Sequence, residues 1–500
     1  MIFLLNLIIQ EYVFRDSFFY LGVTIVINIF VIYFFKKITK AINSIEQKFY
    51  YLSLTLFFKT IINFLFIFYV AKVVSVSDFG SFTFSFVIMT IWTLFIDYGY
   101  NLHSLVLNYK NKESINDVIS SMISGKIFIS ILLLGTLSLL MTSLYSGYKM
   151  VVLILSISAI PNSFGNYFYS LFKAKNQYKY ESIGYILQGT ILLFLLSINH
   201  YFGSVDIITF SYIVLFTKII YFIYSFIKFK VEFHINFSLS INKAIKSYKG
   251  SYSFGVHLIL GTLILYIETL YLTYFTDMDT VGYYQSGLRL IMAASLFGVI
   301  ITDGFVPEIF KTHSNINYVT NKMKNLFEFL SVFYFLLLLT LGFYFDTIIS
   351  ILFDEKFEFI AEYSTYIMLI ILFRSIAIVP GVILTSTGLQ KIRAKTVIYS
   401  IVLSVILNFI LIPKLGLEGA FISFLITNIL IALMYVYYSA KKIKFISIPI
   451  NFIIILIVYL FLQYSFSIDN KMFFLITIII NLLIQVLVQK KLKQKVNVTN

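Results

Sequence analysis

Residues 363–390 read YSTYIMLIILFRSIAIVPGVILTSTGLQ, and this stretch decides the fold class. Arg374 is its only Asp, Glu, Lys or Arg. An α-helix needs roughly 20 consecutive apolar residues to cross the hydrocarbon core of a bilayer, and this stretch exceeds that length. Strands of a membrane barrel instead alternate polar and apolar residues over about 10 positions. The stretch therefore predicts a membrane-spanning helix.

The composition extends this prediction to most of the chain. Of the 500 residues, 60% are hydrophobic and 12% are charged, whereas soluble proteins average about 45–50% and about 25%. No soluble core of this length needs so much apolar material, so we expect the bilayer to be the solvent. Cysteine is absent, which excludes disulfides, thiol nucleophiles and cysteine-ligated metals.

Stretches of similar length occur fifteen times and predict an all-α integral membrane protein. Ten of them contain no Asp, Glu, Lys or Arg: 17–35, 79–96, 127–148, 150–172, 182–205, 329–345, 396–413, 419–440, 445–468 and 472–489. Five others contain one such residue each: 50–71 with Lys59, 207–227 with Lys218, 250–276 with Glu268, 280–302 with Arg289, and 363–390 with Arg374.

The connections between these stretches predict the orientation. Alternate connections, beginning with 36–49, contain 28 of the 38 Lys and Arg residues, whereas the other set contains six. Lys126, at the end of connection 97–126, is counted in the basic set. Positively charged connections stay in the cytoplasm. We therefore predict a multi-pass protein of the bacterial inner (cytoplasmic) membrane, with the C-terminus cytoplasmic and the N-terminus periplasmic or extracellular.

Two short segments recur in the two halves of the chain. Ser77–Phe82 (SDFGSF) and Thr280–Tyr284 (TVGYY) open the second helix of each half, and Asp97-Tyr98-Gly99 and Asp303-Gly304-Phe305 follow that helix. Repeats of this kind pack as two lobes around a central cavity. We predict two six-helix lobes in a pseudo-twofold arrangement, with these divisions of the chain: an extra N-terminal helix and linker in 1–45, an N-lobe in 46–230, a basic cytoplasmic linker in 231–249, a C-lobe in 250–440, and two further helices with a basic tail in 441–500.

A set of short motifs resembles one transporter family. They are VSDFG at 76–80, DYG at 97–99, VGYY at 281–284 followed by LRL at 288–290, Pro307, and IPKLGLEGA at 412–420. In order, spacing and topology they resemble the oligosaccharide-lipid (O-antigen and polysaccharide) flippases of the multidrug/oligosaccharidyl-lipid/polysaccharide exporter superfamily, over about residues 46–490. The extra N-terminal helix departs from the family pattern.

The resemblance implies a function and a set of partners. A member of this family would move an undecaprenyl-pyrophosphate-linked oligosaccharide of O-antigen, capsule or another surface polysaccharide from the cytoplasmic to the outer leaflet by alternating access. Its partners would be that substrate, membrane lipids, a coupling proton or sodium ion, and a glycan polymerase. It would not be an enzyme, and it would use no cofactor and no nucleic acid.

The ionisable residues within the predicted spans are the candidate site. Each would cost roughly 2.5–3.5 kcal/mol at the centre of a bilayer, so they are expected to face protein or water. Four are basic, and Arg offers two parallel hydrogen bonds to a phosphate. We therefore predict that Arg289, Arg374, Lys59 and Lys218 bind the anionic part of the substrate. For Lys59, the alternative is an ammonium that reaches the membrane interface.

Two acidic residues are predicted to couple transport to a cation. Glu268 and Arg289 lie on a predicted helical hairpin at similar depth, so they form either a static ion pair or a pair that opens when Arg289 takes phosphate and Glu268 takes a proton or cation. Asp97 marks the inner end of its helix, and it either couples to a cation or caps the helix.

Several functions are disfavoured by the sequence. No P-loop pattern, HExxH motif, His/Cys metal cluster or GxSxG motif is present, so the chain shows no ATPase, metal or acyl-transfer signature. Three alternatives remain beside the flippase: a cation-coupled multidrug exporter, which would favour acidic groups in the spans; a membrane glycan polymerase, which would need larger outer segments; and a membrane scaffold, which would leave the buried basic residues without a role.

Overall fold

The structure is a computed structural model that describes residues 44–105, 112–143, 146–203, 205–233, 239–311 and 316–443. The described part is all-α and contains no β-strand, which confirms the predicted fold class. The predicted spans 17–35, 445–468 and 472–489 lie outside the described residues.

Fourteen α-helices make up the described part. Their bounds are α1 Ser44–Val73, α2 Val76–Asp97, α3 Tyr100–Leu105, α4 Lys112–Ser143, α5 Lys149–Ala174, α6 Tyr178–Phe202, α7 Ile207–Phe233, α8 Ile241–Leu263, α9 Ile267–Phe275, α10 Met278–Lys311, α11 Ile316–Phe353, α12 Ser364–Ser386, α13 Gln390–Leu415 and α14 Leu417–Ile443. Short 3₁₀ segments occupy Ser146–Tyr148 and Glu355–Tyr363.

Each of the twelve spans predicted between residues 50 and 440 overlaps helix in the described part, although α4 ends at Ser143, before the end of the predicted span 127–148. Eleven helical segments of the described part are long and apolar enough to cross a membrane, so the chain is a multi-pass membrane protein. The remaining predicted span, 250–276, is divided between α8 and α9.

A three-residue break separates α8 from α9. Leu265 N–H donates to the Thr262 carbonyl at 3.1 Å, and Tyr266 N–H donates to the Leu263 carbonyl at 2.9 Å, which are tight turns of the 3₁₀ type. Non-helical backbone at membrane depth occurs only where protein or a water-filled cavity surrounds it. Glu268 follows this break by two residues and lies in the first turn of α9.

Local capping interactions set the ends of α2. The Ser75 hydroxyl accepts from the Asp78 N–H at 3.1 Å and donates to the Asp78 carboxylate at 2.8 Å, which satisfies an N–H that the helix itself leaves open. At the other end Tyr98 has φ 43° and Gly99 has φ 75°. These left-handed conformations end the helix directly after Asp97.

The described chain forms two compact units. The first unit contains residues up to Gln285 together with Ile351–Phe357, and the second contains Ser286–Ser350 and the residues from Glu358 onward. In the first unit, the Lys356 ammonium donates to the carbonyls of Lys72 at 2.8 Å and Val74 at 2.7 Å, at the end of α1. A distant segment thus supplies the cap of α1.

Candidate functional site

Lys59 and Lys218, two of the predicted substrate-binding residues, lie close together in the first unit. Lys59 is on α1 and Lys218 is on α7. The side chain of Lys59 is exposed and that of Lys218 is half-buried, and the rings beside them, those of Tyr185 and Tyr221, have centroids 5.1 Å apart. These two lysines, with Asn166, Tyr185 and Tyr221, are called the two-lysine site below.

Aromatic rings and an amide line the two-lysine site. Lys59 Nζ lies 5.7 Å from the centroid of the Tyr185 ring, and Lys218 Nζ lies 5.8 Å from that of Tyr221, within the range of cation–π attraction. The Asn166 amide oxygen on α5 accepts from the Tyr221 hydroxyl at 2.8 Å and from the Tyr185 hydroxyl at 3.4 Å. The two rings are therefore fixed, and the ammonium groups lie against them.

A glycine on α5 lets the helices of this site approach each other. A Cβ atom at Gly165 would lie 2.6 Å from a ring carbon of Tyr221, closer than real Cβ contacts. The missing side chain leaves space for the Tyr221 ring, which is fully buried between α5 and α7. Substitution here would displace the ring that contacts Lys218.

The charge of the two-lysine site is not neutralised by an ion pair. Among the described residues, no carboxylate lies within 4 Å of the ammonium group of Lys59 or Lys218. One carboxylate, that of Glu181 on α6, attracts Lys59 from a greater distance. Two neighbouring cations within predicted membrane spans are unfavourable unless an anion or water contacts them.

Arg374 occupies a different environment in the second unit. Its Nε donates to the Ser295 hydroxyl on α10 at 3.0 Å, and its Nη1 donates to the Asn428 amide oxygen on α14 at 3.4 Å. The guanidinium carbon lies 5.9 Å from the centre of the Phe424 ring. The Asn428 amide nitrogen is itself anchored by the Phe424 carbonyl at 2.7 Å. The guanidinium plane is thus held in one orientation from three sides.

Glu268 lies in the first unit and Arg289 lies in the second. Glu268 is fully buried in the first turn of α9, and its neighbour Thr269 accepts from the Gln285 side-chain amide at 2.7 Å. Arg289 is half-buried on α10 of the second unit. The ion pair predicted between them stays a prediction.

Lys126 is fully buried inside α4. The prediction that it belongs to a cytoplasmic connection is therefore wrong. Its ammonium lies 3.4 Å from the Asp97 carboxylate and donates to the Ser163 hydroxyl at 2.8 Å. Rings of Tyr100, Phe164 and Tyr167 surround it at 5.3–5.8 Å. The Asp97–Lys126 pair therefore joins α2 to α4 and, through the Lys126–Ser163 hydrogen bond, to α5. The coupling role of Asp97 stays a prediction.

The helices α3 and α8 form a polar contact next to this pair. The Tyr100 hydroxyl shares a hydrogen bond with Ser247 at 2.8 Å, and His103 Nδ1 lies 2.8 Å from the Ser251 hydroxyl. The His103 ring stacks on Phe254 at 5.2 Å. Burial lowers the pKa of His103 below its ordinary value of 6.5 and raises the pKa of the Tyr100 hydroxyl. Both side chains are therefore neutral at pH 7.

No metal centre is found within the described ranges. No group of three His, Cys, Asp or Glu side chains is arranged there to hold an ion. The cationic groups described above lie instead beside aromatic rings, with the ammonium groups of Lys59 and Lys218 beside tyrosines and the guanidinium of Arg374 beside Phe424.

The chain matches a family model described as "Polysaccharide biosynthesis protein" over residues 45–313, more than half of its length. The chain belongs to this family. The resemblance drawn from the short motifs is thereby confirmed, and all of those motifs except IPKLGLEGA at 412–420 lie within the matched range.

Relatives in sequence and in structure support this assignment. The capsular polysaccharide biosynthesis protein CapF of Staphylococcus aureus is 23% identical over 413 residues, which cover 79% of this chain and 99% of CapF. The structure is similar to the lipid II flippase MurJ in an inward closed conformation, with a TM-score of 0.66 and 17% identity over 89% of this chain and 99% of that chain. An inward-facing multidrug resistance MATE family transporter of the MOP superfamily gives a TM-score of 0.63 and 14% identity over 79% of this chain and 97% of that chain. The fold is that of transporters and flippases.

Proposed function

We propose that this member of the polysaccharide biosynthesis family is a flippase. It would carry an undecaprenyl-pyrophosphate-linked oligosaccharide, a repeat unit of O-antigen, capsule or another surface polysaccharide, from the cytoplasmic to the outer leaflet of the bacterial inner membrane. Alternating access of the two lobes would move the head group while the lipid tail remains in the bilayer.

The two-lysine site is the observation that carries this proposal. The ammonium groups of Lys59 and Lys218 lie against neighbouring tyrosine rings, and no ion-paired carboxylate among the described residues offsets the repulsion of these two like charges. A pyrophosphate would relieve that repulsion and replace part of its own lost hydration. An arrangement that is unfavourable when empty is expected where an anionic ligand binds.

The remaining groups of the site fit a saccharide next to the pyrophosphate. Tyrosine rings offer flat apolar faces, and the Asn166 amide and the Tyr185 and Tyr221 hydroxyls offer hydrogen bonds. Such groups bind sugar hydroxyls, while the lysines bind phosphate.

Arg374 supplies a second anion-binding group in the second unit. Its contacts with Ser295, Asn428 and Phe424 hold the fork of donors in place, which suits a phosphate oxygen pair. Arg289 stays a proposed substrate-binding residue, and Glu268 and Asp97 stay proposed coupling residues for a proton or sodium ion.

A multidrug exporter is the competing function, because MATE transporters share the fold. A cationic drug would need acidic groups at the binding site. The two-lysine site and Arg374 have the opposite charge, which favours an anionic substrate.

The test follows the position of the lipid-linked saccharide in cells. Deletion of the gene should trap the saccharide on the cytoplasmic leaflet, where externally added periodate does not oxidise it. Wild-type protein should restore oxidation and surface glycan, while Lys59→Gln/Lys218→Gln should restore neither.

The matched control is Lys230→Gln, since Lys230 is an exposed lysine on the same helix as Lys218. It should behave as wild type. Full surface glycan from the double variant would overturn the proposal, and efflux of a cationic dye such as ethidium that the lysine changes leave intact would favour the drug exporter.

A further inference from the structure

Glu181, which the flippase proposal does not use, lies beside the two-lysine site. It is in the first turn of α6 and is 5% exposed. Its Oε1 accepts from the Lys173 ammonium at 2.7 Å, at the end of α5. Its second oxygen, Oε2, is buried and has no hydrogen-bond partner among the described residues. A buried carboxylate oxygen without a partner is unfavourable.

The same carboxylate acts electrostatically on the two-lysine site. Glu181 attracts Lys59 and interacts with Tyr221. In the described part of the chain, it is the one carboxylate with such an interaction at Lys59, and Lys218 interacts with Lys59 alone among charged groups. Glu181 is paired with Lys173, and on α6 it precedes by one helical turn Tyr185, whose ring lies 5.7 Å from Lys59 Nζ. Glu181 and the ring contact of Lys59 thus occupy neighbouring turns of one helix.

We propose that Glu181 competes with the anionic substrate for Lys59, and that Lys173 holds it away from Lys59 while the substrate binds. When Glu181 moves from Lys173 to Lys59, it neutralises the site and displaces the pyrophosphate. The inference rests on the proposed function. It makes Glu181 a positioning residue that sets the affinity for the anion, rather than a residue that contacts the cargo.

A transported ligand must bind well enough to enter and weakly enough to leave. Two adjacent lysines without a competitor would hold a pyrophosphate tightly and release it slowly. A carboxylate that can take one of these lysines supplies the release step without a new ligand or a large rearrangement. Lys173 is about one-third exposed, so its pairing with Glu181 is exchangeable.

Two substitutions should shift the affinity in opposite directions. Glu181→Gln removes the competitor, so the purified protein in detergent should bind farnesyl pyrophosphate roughly tenfold more tightly, while the surface glycan made per folded protein falls because release is slow. Lys173→Gln frees Glu181 to pair with Lys59, so binding should weaken roughly threefold to tenfold. The double variant should behave like Glu181→Gln, since the competitor is absent from both.

Farnesol and the lysine variant separate the two proposals. Wild type should bind farnesyl pyrophosphate and not farnesol, and Lys59→Gln/Lys218→Gln should lose that binding. If the lysine variant binds as wild type, the proposed function fails. If it loses binding while Glu181→Gln and Lys173→Gln leave the affinity unchanged or shift it in the same direction, the flippase stands and the competitor is overturned. Thermal unfolding of each variant verifies that the protein is folded.

Discussion

Lys126 and the Lys59–Lys218 pair show two ways in which the same compact unit places lysine within its spans. Lys126 is fully buried, and its charge is met by Asp97, by a Ser163 hydroxyl and by three rings. Lys59 and Lys218 remain accessible, repel each other and have no ion-paired carboxylate in the described part. The difference indicates that the environment of a charge separates a structural lysine from a proposed ligand-binding one.

The largest effect, a loss of stability, is expected when Lys126, the lysine paired with Asp97, is replaced. Lys126→Met leaves Asp97 buried without its counter-ion, which destabilises a protein by about 3–5 kcal/mol. Folded protein in the membrane should fall severely, as measured by detergent extraction and thermal unfolding. Asp97→Asn/Lys126→Met should recover part of the loss, because no net charge is then buried.

The amount of glycan exported per folded molecule tests whether the Asp97–Lys126 pair is only structural. A purely structural pair predicts that the double variant retains this export, whereas a coupling role of Asp97 predicts that the variant loses it. A double variant that is stable but inactive would assign Asp97 a coupling role and would remove the distinction between the two lysine environments.

The second prediction is that replacing Lys218 lowers the export function while it raises the stability of the fold. Lys218→Met should abolish most surface glycan, yet it should raise the unfolding temperature by roughly 1–3 °C, because it removes a like-charge repulsion. Scanning fluorimetry of the purified protein and electrophoresis of surface glycan measure the two quantities. Lys230→Met is the control for the loss of an exposed lysine.

A lower unfolding temperature for Lys218→Met would show that this lysine stabilises the fold, as Lys126 does. That result would place both lysines in one structural class.

Arg374 differs from the two lysines, since hydrogen bonds fix its position whereas the lysines lie against tyrosine rings. Arg374→Lys keeps the charge but loses the fork that Ser295 and Asn428 orient, so surface glycan should fall roughly tenfold. In Lys59→Arg, surface glycan should fall by less, because the proposed site uses a point charge beside a ring. Equal loss in both variants at equal protein level would contradict this difference.

The smallest expected effect is the pH dependence of the α3–α8 contact. Burial lowers the pKa of His103 below 6.5, so the unfolded chain takes up a proton before the folded protein does. Stability from this residue is present above about pH 6.5 and is lost as the pH falls through that value toward the folded pKa. The unfolding temperature measured from pH 8 to pH 5 should decline less in His103→Gln than in wild type.

The helices could be predicted from the sequence because each apolar stretch carries its own signal. The break at residues 264–266 could not be predicted, since 250–276 contains no proline and Glu268 is its only Asp, Glu, Lys or Arg. Lys126 was misplaced because it directly precedes the apolar stretch 127–148 and follows small polar residues, as a loop lysine would. Its burial depends on Asp97 and Ser163, which distant parts of the chain provide.

The candidate site was predicted in part. Lys59 and Lys218 could be found as isolated charges in apolar stretches, whereas their proximity depends on the packing of α1, α6 and α7. Glu181 gave no signal, because an acidic residue in the first turn of a helix is favourable in any helix.

The contact of Lys356 with the end of α1 also bears on the biogenesis of the protein. The carbonyls of Lys72 and Val74 accept hydrogen bonds from the Lys356 ammonium, which lies 284 and 282 residues later in the chain. At roughly 5–20 residues per second, a ribosome needs about 15–60 s to make that length. Helix α1 therefore enters the membrane early in synthesis but acquires the hydrogen bonds from Lys356 only when most of the polypeptide has been translated.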